Sequence, residues 1–105
     1  MERSIFDIQA DFCKAMGNAT RLRIMHILRE RPMTVSEIVV RTGFGQPTVS
    51  RQLAVLRSVG VVFCERRANE MLYQLADDNI GEVCDLVRKV LADQMHKQSS
   101  TLNGP

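Results

Sequence analysis

Apolar side chains at the start of the chain recur every three or four residues, which is the spacing of an amphipathic helix. The first such stretch predicts a helix from Ile5 to Met16, ended by Gly17. The second follows Asn18, a good helix N-cap, and Pro32 stops it because proline cannot continue a helix. The first third of the chain is therefore predicted to form two helices joined by a short turn.

The middle of the chain has the signals of two further helices. Thr34 and Glu37 have the T-x-x-E spacing of a capping box, which predicts a short helix from Val35 to Arg41, and Gly43 supplies the turn after it. Gly45 or Gln46 then caps a fourth helix with Pro47 at its first position, where a missing N–H costs nothing. The inward face of this helix carries Val49, Leu53 and Leu56, and its outward face carries Thr48, Ser50, Arg51, Ala54 and Arg57.

A β-hairpin is predicted to follow these helices. Gly60 closes the fourth helix, and two β-rich runs, Val61 to Glu65 and Met71 to Leu75, flank a polar connection from Arg66 to Glu70. Two helices and a hairpin in this order form a winged helix-turn-helix. In that arrangement the second helix of the pair enters the major groove of DNA.

One more long helix completes the predicted fold, which is mainly α with a small β-hairpin. Asp77 or Asp78 caps this helix, and its apolar stripe runs to about Gln94. At 105 residues the chain has room for one domain, predicted to cover residues 1–96. The tail, residues 97–105, is polar and contains glycine and proline, so it is predicted to be disordered.

Positive charge is concentrated in the segment that is predicted to contact DNA. Residues 41–67 carry five arginines against one glutamate, a net charge of +4, which leaves −2 for the rest of the chain. A phosphate backbone favours such clustering through counterion release, although a basic stretch can also be a solvated face. The arginines are Arg41, Arg51, Arg57, Arg66 and Arg67.

The polar face of the fourth helix offers the side chains that read DNA in this class of fold. Gln46 and Arg51 are predicted to read bases, because glutamine bonds adenine and arginine bonds guanine bidentately. The side chains of the same helix predicted to fix its register on phosphates are Thr48, Ser50 and Gln52. The wing residues predicted to touch a flanking minor groove or its phosphates are Arg66, Arg67 and Asn69. The competing interpretations are a helix pair that only builds a core and a hairpin tip that is only a solvated turn.

Several segments together resemble the ArsR/SmtB family of small bacterial winged-helix repressors. They are FCKAMGNATRLRIMHIL, TVSEI, TVSRQLAVLRSVGVV and the YQL that closes the wing, and the resemblance covers residues 8 to 92 or so. It implies a homodimer built on the first and last helices, a palindromic double-stranded operator, and release from DNA when an inducer is sensed. The apolar stripes of the terminal helices flank a central reader, as a two-fold interface requires.

The resemblance also provides two metal sites against which the sequence can be checked. The family's third-helix site uses a cysteine pair, and the matching segment, Met33 to Ile38, has no thiol. The site on the last helix uses histidines, and its matching positions are Asp77, Asn79, Val90 and Asp93. Family-type zinc sites are therefore predicted to be absent, and no metal or other cofactor is predicted.

Three cysteines remain as candidate sensing groups. Cys13 lies on the first helix and Cys84 on the last, so a thiol pair at the dimer interface could sense arsenite or a redox or sulfur species. Cys64 lies on the first wing strand, away from them. The alternative is that all three pack as small apolar residues, which is common for free cysteine.

Other classes of protein fit the sequence less well. A winged-helix module that binds proteins rather than DNA would expose more aromatic and aliphatic groups than the face around Arg51. An enzyme is not predicted, because the sequence has no phosphate loop, nucleophile elbow or metal triad. No apolar run approaches a membrane span and no signal-peptide core is present, so we expect a cytoplasmic protein.

Overall fold

Four helices, an antiparallel hairpin and a long final helix follow one another in the computed structural model, which describes residues 2–103. This order is the predicted one, and the elements form a winged helix-turn-helix. The helices are α1 (Ile5–Ala15), α2 (Ala19–Leu28), α3 (Val35–Thr42), α4 (Gln46–Ser58) and α5 (Asp78–Asn103). The strands are β1 (Val62–Arg67) and β2 (Glu70–Leu75).

Local capping residues fix where the first three helices begin. The side chains of Ser4, Asn18 and Thr34 each accept a hydrogen bond from a backbone N–H in the first turn of α1, α2 and α3. Thr34 and Glu37 form the predicted capping box. Gly43 ends α3 with a left-handed φ of 79°, which a residue with a side chain adopts only at a cost. The predicted starts of α2 and α3 are confirmed.

The hydrophobic core of the described residues lies between α2, α3, α4 and the base of the hairpin. The backbone of Met33 extends the sheet, because its N–H donates to the Tyr73 carbonyl at 2.9 Å and its carbonyl accepts from the Tyr73 N–H at 2.8 Å. The predicted inward face of α4 is part of this core. The buried cluster comprises Ile24, Met25, Leu28, Met33, Ile38, Val49, Leu53, Leu56, Val61 and Val62.

The hairpin is longer and its turn tighter than predicted. The connection predicted from Arg66 to Glu70 is wrong, because Arg67 pairs with Glu70 and only Ala68 and Asn69 form the turn. Ala68 has a φ of 53°, in the left-handed region that a two-residue hairpin turn requires. Alanine does not mark such a turn in a sequence, so the length of the strands could not be read from the pattern.

Helix α5 also extends further than predicted. It continues past Gln94 to Asn103, so residues 97–103 are helical rather than a disordered tail. The side-chain types in this segment are compatible with a helix, and the first strong helix breakers are Gly104 and Pro105, which lie outside the described residues. No helix in residues 2–103 is long and apolar enough to cross a membrane.

The terminal helices turn much of their apolar surface outward. Only the last part of α1 is attached to the core, through Phe12, Ala15 and Met16. The remaining apolar side chains of α1 and a whole stripe of α5 are exposed. These outward-facing residues are Ile5, Phe6 and Ile8 on α1, and Val83, Leu86, Val87, Val90, Leu91 and Met95 on α5. We call them the outer apolar face.

The other side of α5 is joined to α2 by an ion pair. Arg29, the C-cap of α2, donates a hydrogen bond to the carboxylate of Asp85, which also accepts one from Arg88. Gly81 makes room for this contact, because a Cβ there would lie 2.3 Å from Nε and 2.7 Å from Cδ of Arg29. The absence of a side chain at residue 81 therefore lets Arg29 pass along α5 to reach Asp85.

We expect the effect of Gly81→Ala on stability to depend on Arg29. In an Arg29→Ala background, alanine should stabilise α5 by about 1 kcal/mol through its higher helix propensity. In the wild type, the new methyl group displaces Arg29 and offsets that gain. Denaturant unfolding of the wild type, the two single variants and the double variant should therefore give a coupling free energy of about 1–2 kcal/mol. Additive effects would contradict the proposed role of Gly81.

Tyr73, the only tyrosine, lies opposite Cys64 on the hairpin. Burial raises the pKa of its hydroxyl, and the Cys64 thiol beside it raises the pKa further, whereas the positive charge of Arg57 opposes both. The folded pKa therefore lies above that of the unfolded chain. The stability that this difference contributes is complete below the unfolded pKa, about 10, and is lost as the pH rises through the folded pKa.

Spectrophotometric titration can measure this shift on Tyr73 alone. The tyrosinate band should appear at higher pH in the folded protein than in denaturant, and alkaline pH should lower the free energy of unfolding. Cys64→Ser should move the folded titration part of the way back. Identical titrations in the folded and unfolded protein would show that burial does not hold the phenol neutral.

Candidate nucleic-acid interface

Helix α4 presents a polar face to solvent opposite its buried one. Val49, Leu53 and Leu56 are buried, whereas Gln46, Ser50 and Arg51 are exposed and Thr48 is half-buried. This division follows the helical period, because the buried residues are three or four positions apart. The predicted base-reading and register residues other than Gln52 thus lie at the start and along the outer side of one helix.

The start of α4 differs from the starts of α1, α2 and α3. Gly45 is its N-cap and provides no side-chain hydrogen bond to the first turn. The helix begins at Gln46, so Pro47 occupies the second position rather than the predicted first. The amide groups of Gln46 and Thr48 therefore have no capping side chain, and together with the helix dipole they favour an anion at this end.

Gln52 has an environment that its place in the sequence did not reveal. Its side chain is half-buried, and its Oε1 accepts a hydrogen bond of 2.9 Å from Nη1 of Arg21. Arg21 belongs to α2, 31 positions earlier in the chain. Gln52 therefore points toward the junction of α2 and α4, which sets it apart from the solvent-facing Ser50 and Arg51.

Ion pairs within the chain neutralise two of the five arginines that give this segment its positive charge. Arg41 donates to Glu30, and Arg67 lies 3.2 Å from Glu65. Of the five arginines between residues 41 and 67, three have no acidic partner within the described part of the chain. These are Arg51 and Arg57 on α4 and Arg66 on β1. The unpaired charge thus lies on α4 and one strand of the wing.

The register of the hairpin separates its two arginines. Arg66 pairs with Met71, and Arg67 pairs with Glu70. Successive residues of a strand point to opposite sides, so Arg66 shares its side with Cys64 and Tyr73, whereas Arg67 lies on the other side between two glutamates. Arg66 therefore offers a more available charge than Arg67. Asn69 is exposed in the turn.

The three cysteines have separate surroundings within one chain. Cys13 is exposed on α1, whereas Cys84 is half-buried and packs between α5 and α2 near Leu22 and Met25. Cys64 is half-buried opposite Tyr73. All three are free thiols. Among the described residues, no three histidine, cysteine or carboxylate side chains are grouped as metal ligands would be.

An exposed polar helix, presented by a helix-turn-helix and followed by a basic hairpin, defines the class of winged helix-turn-helix DNA-binding proteins. Comparison with known proteins narrows this class. A protein-family model described as "Bacterial regulatory protein, arsR family" matches residues 18–62. That segment comprises α2, α3, α4 and the first residue of β1.

Curated and solved relatives extend the match over most of the chain. An uncharacterized HTH-type transcriptional regulator of Mycobacterium tuberculosis, Rv0081, is 37% identical over 89 residues, which are 84% of this chain and 78% of that protein. Its crystal structure aligns with a TM-score of 0.82 at 33% identity, covering 93% of this chain and 99% of that one.

Two further relatives carry more specific descriptions. The HTH-type transcriptional repressor SmtB of M. tuberculosis is 36% identical over 81 residues, 77% of this chain and 60% of that protein. A homodimeric winged helix-turn-helix domain of Mycobacterium bovis, Mb0332, gives a TM-score of 0.81 at 28% identity, covering 89% of this chain and 86% of that one. The chain belongs to the ArsR/SmtB family of DNA-binding transcriptional regulators, which is not a family of enzymes.

Proposed function

We propose that this protein is a homodimeric repressor that binds a palindromic operator through α4 and leaves it when an inducer acts. The observation that carries this proposal is the division of the surface. Polar and cationic side chains occupy the solvent side of α4 and the tip of the wing, whereas the outer apolar face occupies α1 and α5. The first surface suits DNA, and the second suits another copy of the chain.

Base recognition is assigned to Gln46 and Arg51. Both are exposed on α4, and Arg51 has no acidic partner among the described residues, so its guanidinium is available to a guanine. Thr48 and Ser50 supply hydroxyls for phosphates next to the uncapped first turn of α4. Backbone amides at a helix N-terminus favour a phosphate in the same way.

The other proposed DNA contacts are not expected to contribute equally to binding. Arg66 is assigned to the flanking phosphates or minor groove, with Asn69 beside it in the turn. Arg67 contributes less, because Glu65 already binds it. Gln52 is assigned a phosphate contact through its amide nitrogen only, since its Oε1 is already occupied by Arg21.

Dimerisation is assigned to the outer apolar face. Phe6 is 76% exposed and Leu86 is 61% exposed, and a soluble protein rarely leaves a continuous stripe of such side chains in water. The relative from M. bovis is described as homodimeric, which supports a dimer. In a two-fold dimer the two copies of α4 would enter successive major grooves about 34 Å apart, which is why the operator should be an imperfect palindrome.

The inducer is assigned to thiol-reactive, redox or sulfur species or arsenite rather than to zinc. Cys13 and Cys84 lie on the two helices that form the proposed interface, so modification there would alter the geometry of the dimer. The zinc positions of the family carry Asn79 and Val90 in place of histidines.

The test is operator binding with each candidate inducer. A palindromic promoter duplex and a random duplex of equal length should be compared at moderate salt, with and without zinc, arsenite, peroxide and polysulfide. We expect preference for the palindrome and its loss with a thiol reagent but not with zinc. Cys13→Ser or Cys84→Ser should abolish that loss. Equal binding to both duplexes would refute the repressor, and an inducer response surviving both substitutions would refute the thiol sensor.

A further inference from the structure

Arg21 joins three elements through its guanidinium group. Nη1 donates to Oε1 of Gln52 on α4 at 2.9 Å, Nε donates to the carbonyl of Ala15, and Nη2 donates to the carbonyl of Lys14 at 3.4 Å. The backbone N–H of Arg21 is held in turn by Asn18, the cap of α2, at 3.0 Å. The bonds to Ala15 and Gln52 are partly buried, which reduces competition from water, whereas the bond to Lys14 is exposed.

The acceptors on α1 lie at the end of that helix. The last carbonyls of a helix have no partner within it and carry its partial negative charge. A guanidinium group is therefore a suitable ligand for the Ala15 carbonyl, whereas the Lys14 carbonyl also accepts a hydrogen bond from the Gly17 N–H at 3.0 Å. The rest of the attachment of α1 to its own core is apolar, through Phe12 and Met16. Arg21 thus provides a polar link between α1 and the body of the protein.

The same guanidinium group contacts α4 at Gln52, one residue after Arg51, which is proposed to read a base. Gln52 follows Arg51, so a hydrogen bond to Gln52 limits both the rotation of α4 and its position along its axis. The guanidinium is a rigid planar fork, and hydrogen bonds weaken steeply once donor and acceptor are more than about 3.5 Å apart. A shift of α1 by about 1 Å would therefore break the bonds at one end of the fork.

We propose that Arg21 is a positioning residue that couples the placement of α1 to the orientation of α4. The inference rests on the proposed function, because α1 is placed by the partner subunit in the dimer. When the dimer holds α1 in its present position, Arg21 donates its hydrogen bond to Gln52. This bond keeps α4 in the orientation that binds the operator. A change in dimer geometry that moves the end of α1 releases Gln52, and α4 loses this restraint.

Three variants test the coupling, and one matched control separates it from the loss of charge. Arg21→Met removes all the donors while keeping a long apolar stem, and Gln52→Leu removes the acceptor without touching α1. The third variant combines both substitutions. Arg23→Met removes an arginine from the same helix, at a residue with no hydrogen bond or ion pair in the described part of the chain. All proteins are measured as dimers, at concentrations set by sedimentation equilibrium.

The first readout is the dissociation constant for the palindromic duplex. Arg21→Met should weaken binding about tenfold more than Arg23→Met, which corresponds to the loss of one charge-assisted hydrogen bond. The combined variant should lose less affinity than the product of the two single losses, because both substitutions break the same Arg21–Gln52 bond. Equal losses for Arg21→Met and Arg23→Met, or multiplying losses in the combined variant, would overturn the coupling.

The second readout is amide hydrogen exchange along α4 without DNA. Arg21→Met and Gln52→Leu should each speed exchange in α4 about tenfold relative to Arg23→Met, since each removes the same restraint. This measurement also decides the coupling if the wild type binds no palindrome, an outcome that would refute only the proposed function. Unchanged exchange in both variants would overturn the role of Arg21.

Discussion

Val87→Glu is expected to leave the protein monomeric and to weaken operator binding by at least about 100-fold, because linking two half-sites in a dimer raises avidity by that order. Val87 lies in the middle of the outer apolar face of α5. In a two-fold interface both copies of a substitution are buried together, so two carboxylates would lose their hydration without gaining a partner. Sedimentation equilibrium measures the dimer, and fluorescence anisotropy measures operator binding.

Ala92→Glu is the matched control for that substitution. It adds the same side chain to α5 five residues later, which is about 140° further around the helix and away from the outer apolar face. This variant should remain dimeric and bind the operator like the wild type. If Val87→Glu also remained dimeric, the proposed interface on α5 would be wrong, whatever its effect on DNA binding.

Arg51→Ala should weaken operator binding by about 100-fold while leaving binding to random duplex within about threefold of the wild type. A bidentate arginine–guanine contact provides about 1–3 kcal/mol of discrimination, and a dimer makes that contact twice. The comparison of the two duplexes separates base reading from phosphate attraction. Titrations at several salt concentrations would show whether the salt dependence of operator binding is retained.

The wing provides internal controls for Arg51. Arg67→Ala should change operator binding by less than about threefold, because an exposed arginine already paired with a glutamate gains little from another contact. Arg66→Ala should weaken operator and random duplex to a similar extent, as expected for a phosphate contact. A uniform loss on both duplexes for Arg51→Ala would place Arg51 on the phosphates and leave base reading to Gln46.

The parts of the fold that the sequence predicted are governed by residues close together in the chain. Asn18 caps α2, Thr34 and Glu37 form the capping box of α3, and Gly43 has the left-handed conformation expected of it. Each of these interactions spans three or four residues, so the local pattern contains both partners. The winged helix-turn-helix and the polar outer side of α4 could be predicted for this reason.

The features that the sequence did not predict depend on partners distant in the chain or on unusual backbone geometry. Arg21 and Gln52 are 31 positions apart, and Arg29 and Asp85 are 56 positions apart. No periodicity identifies which of several arginines will meet which acceptor. The hairpin turn uses alanine at a positive φ, which is a rare choice. Apolar pattern alone likewise gave too early an end for α5.

The exposed apolar side chains of α1 and α5 also make the lifetime of a subunit depend on how abundant the protein is. A subunit without a partner leaves these side chains in water and the first half of α1 without support, so its folded state is less stable than that of a subunit in the dimer. Newly made chains in a cell with few copies would meet proteases before they meet each other. Repression would then rise more steeply than in proportion to synthesis, because each working molecule requires two surviving chains.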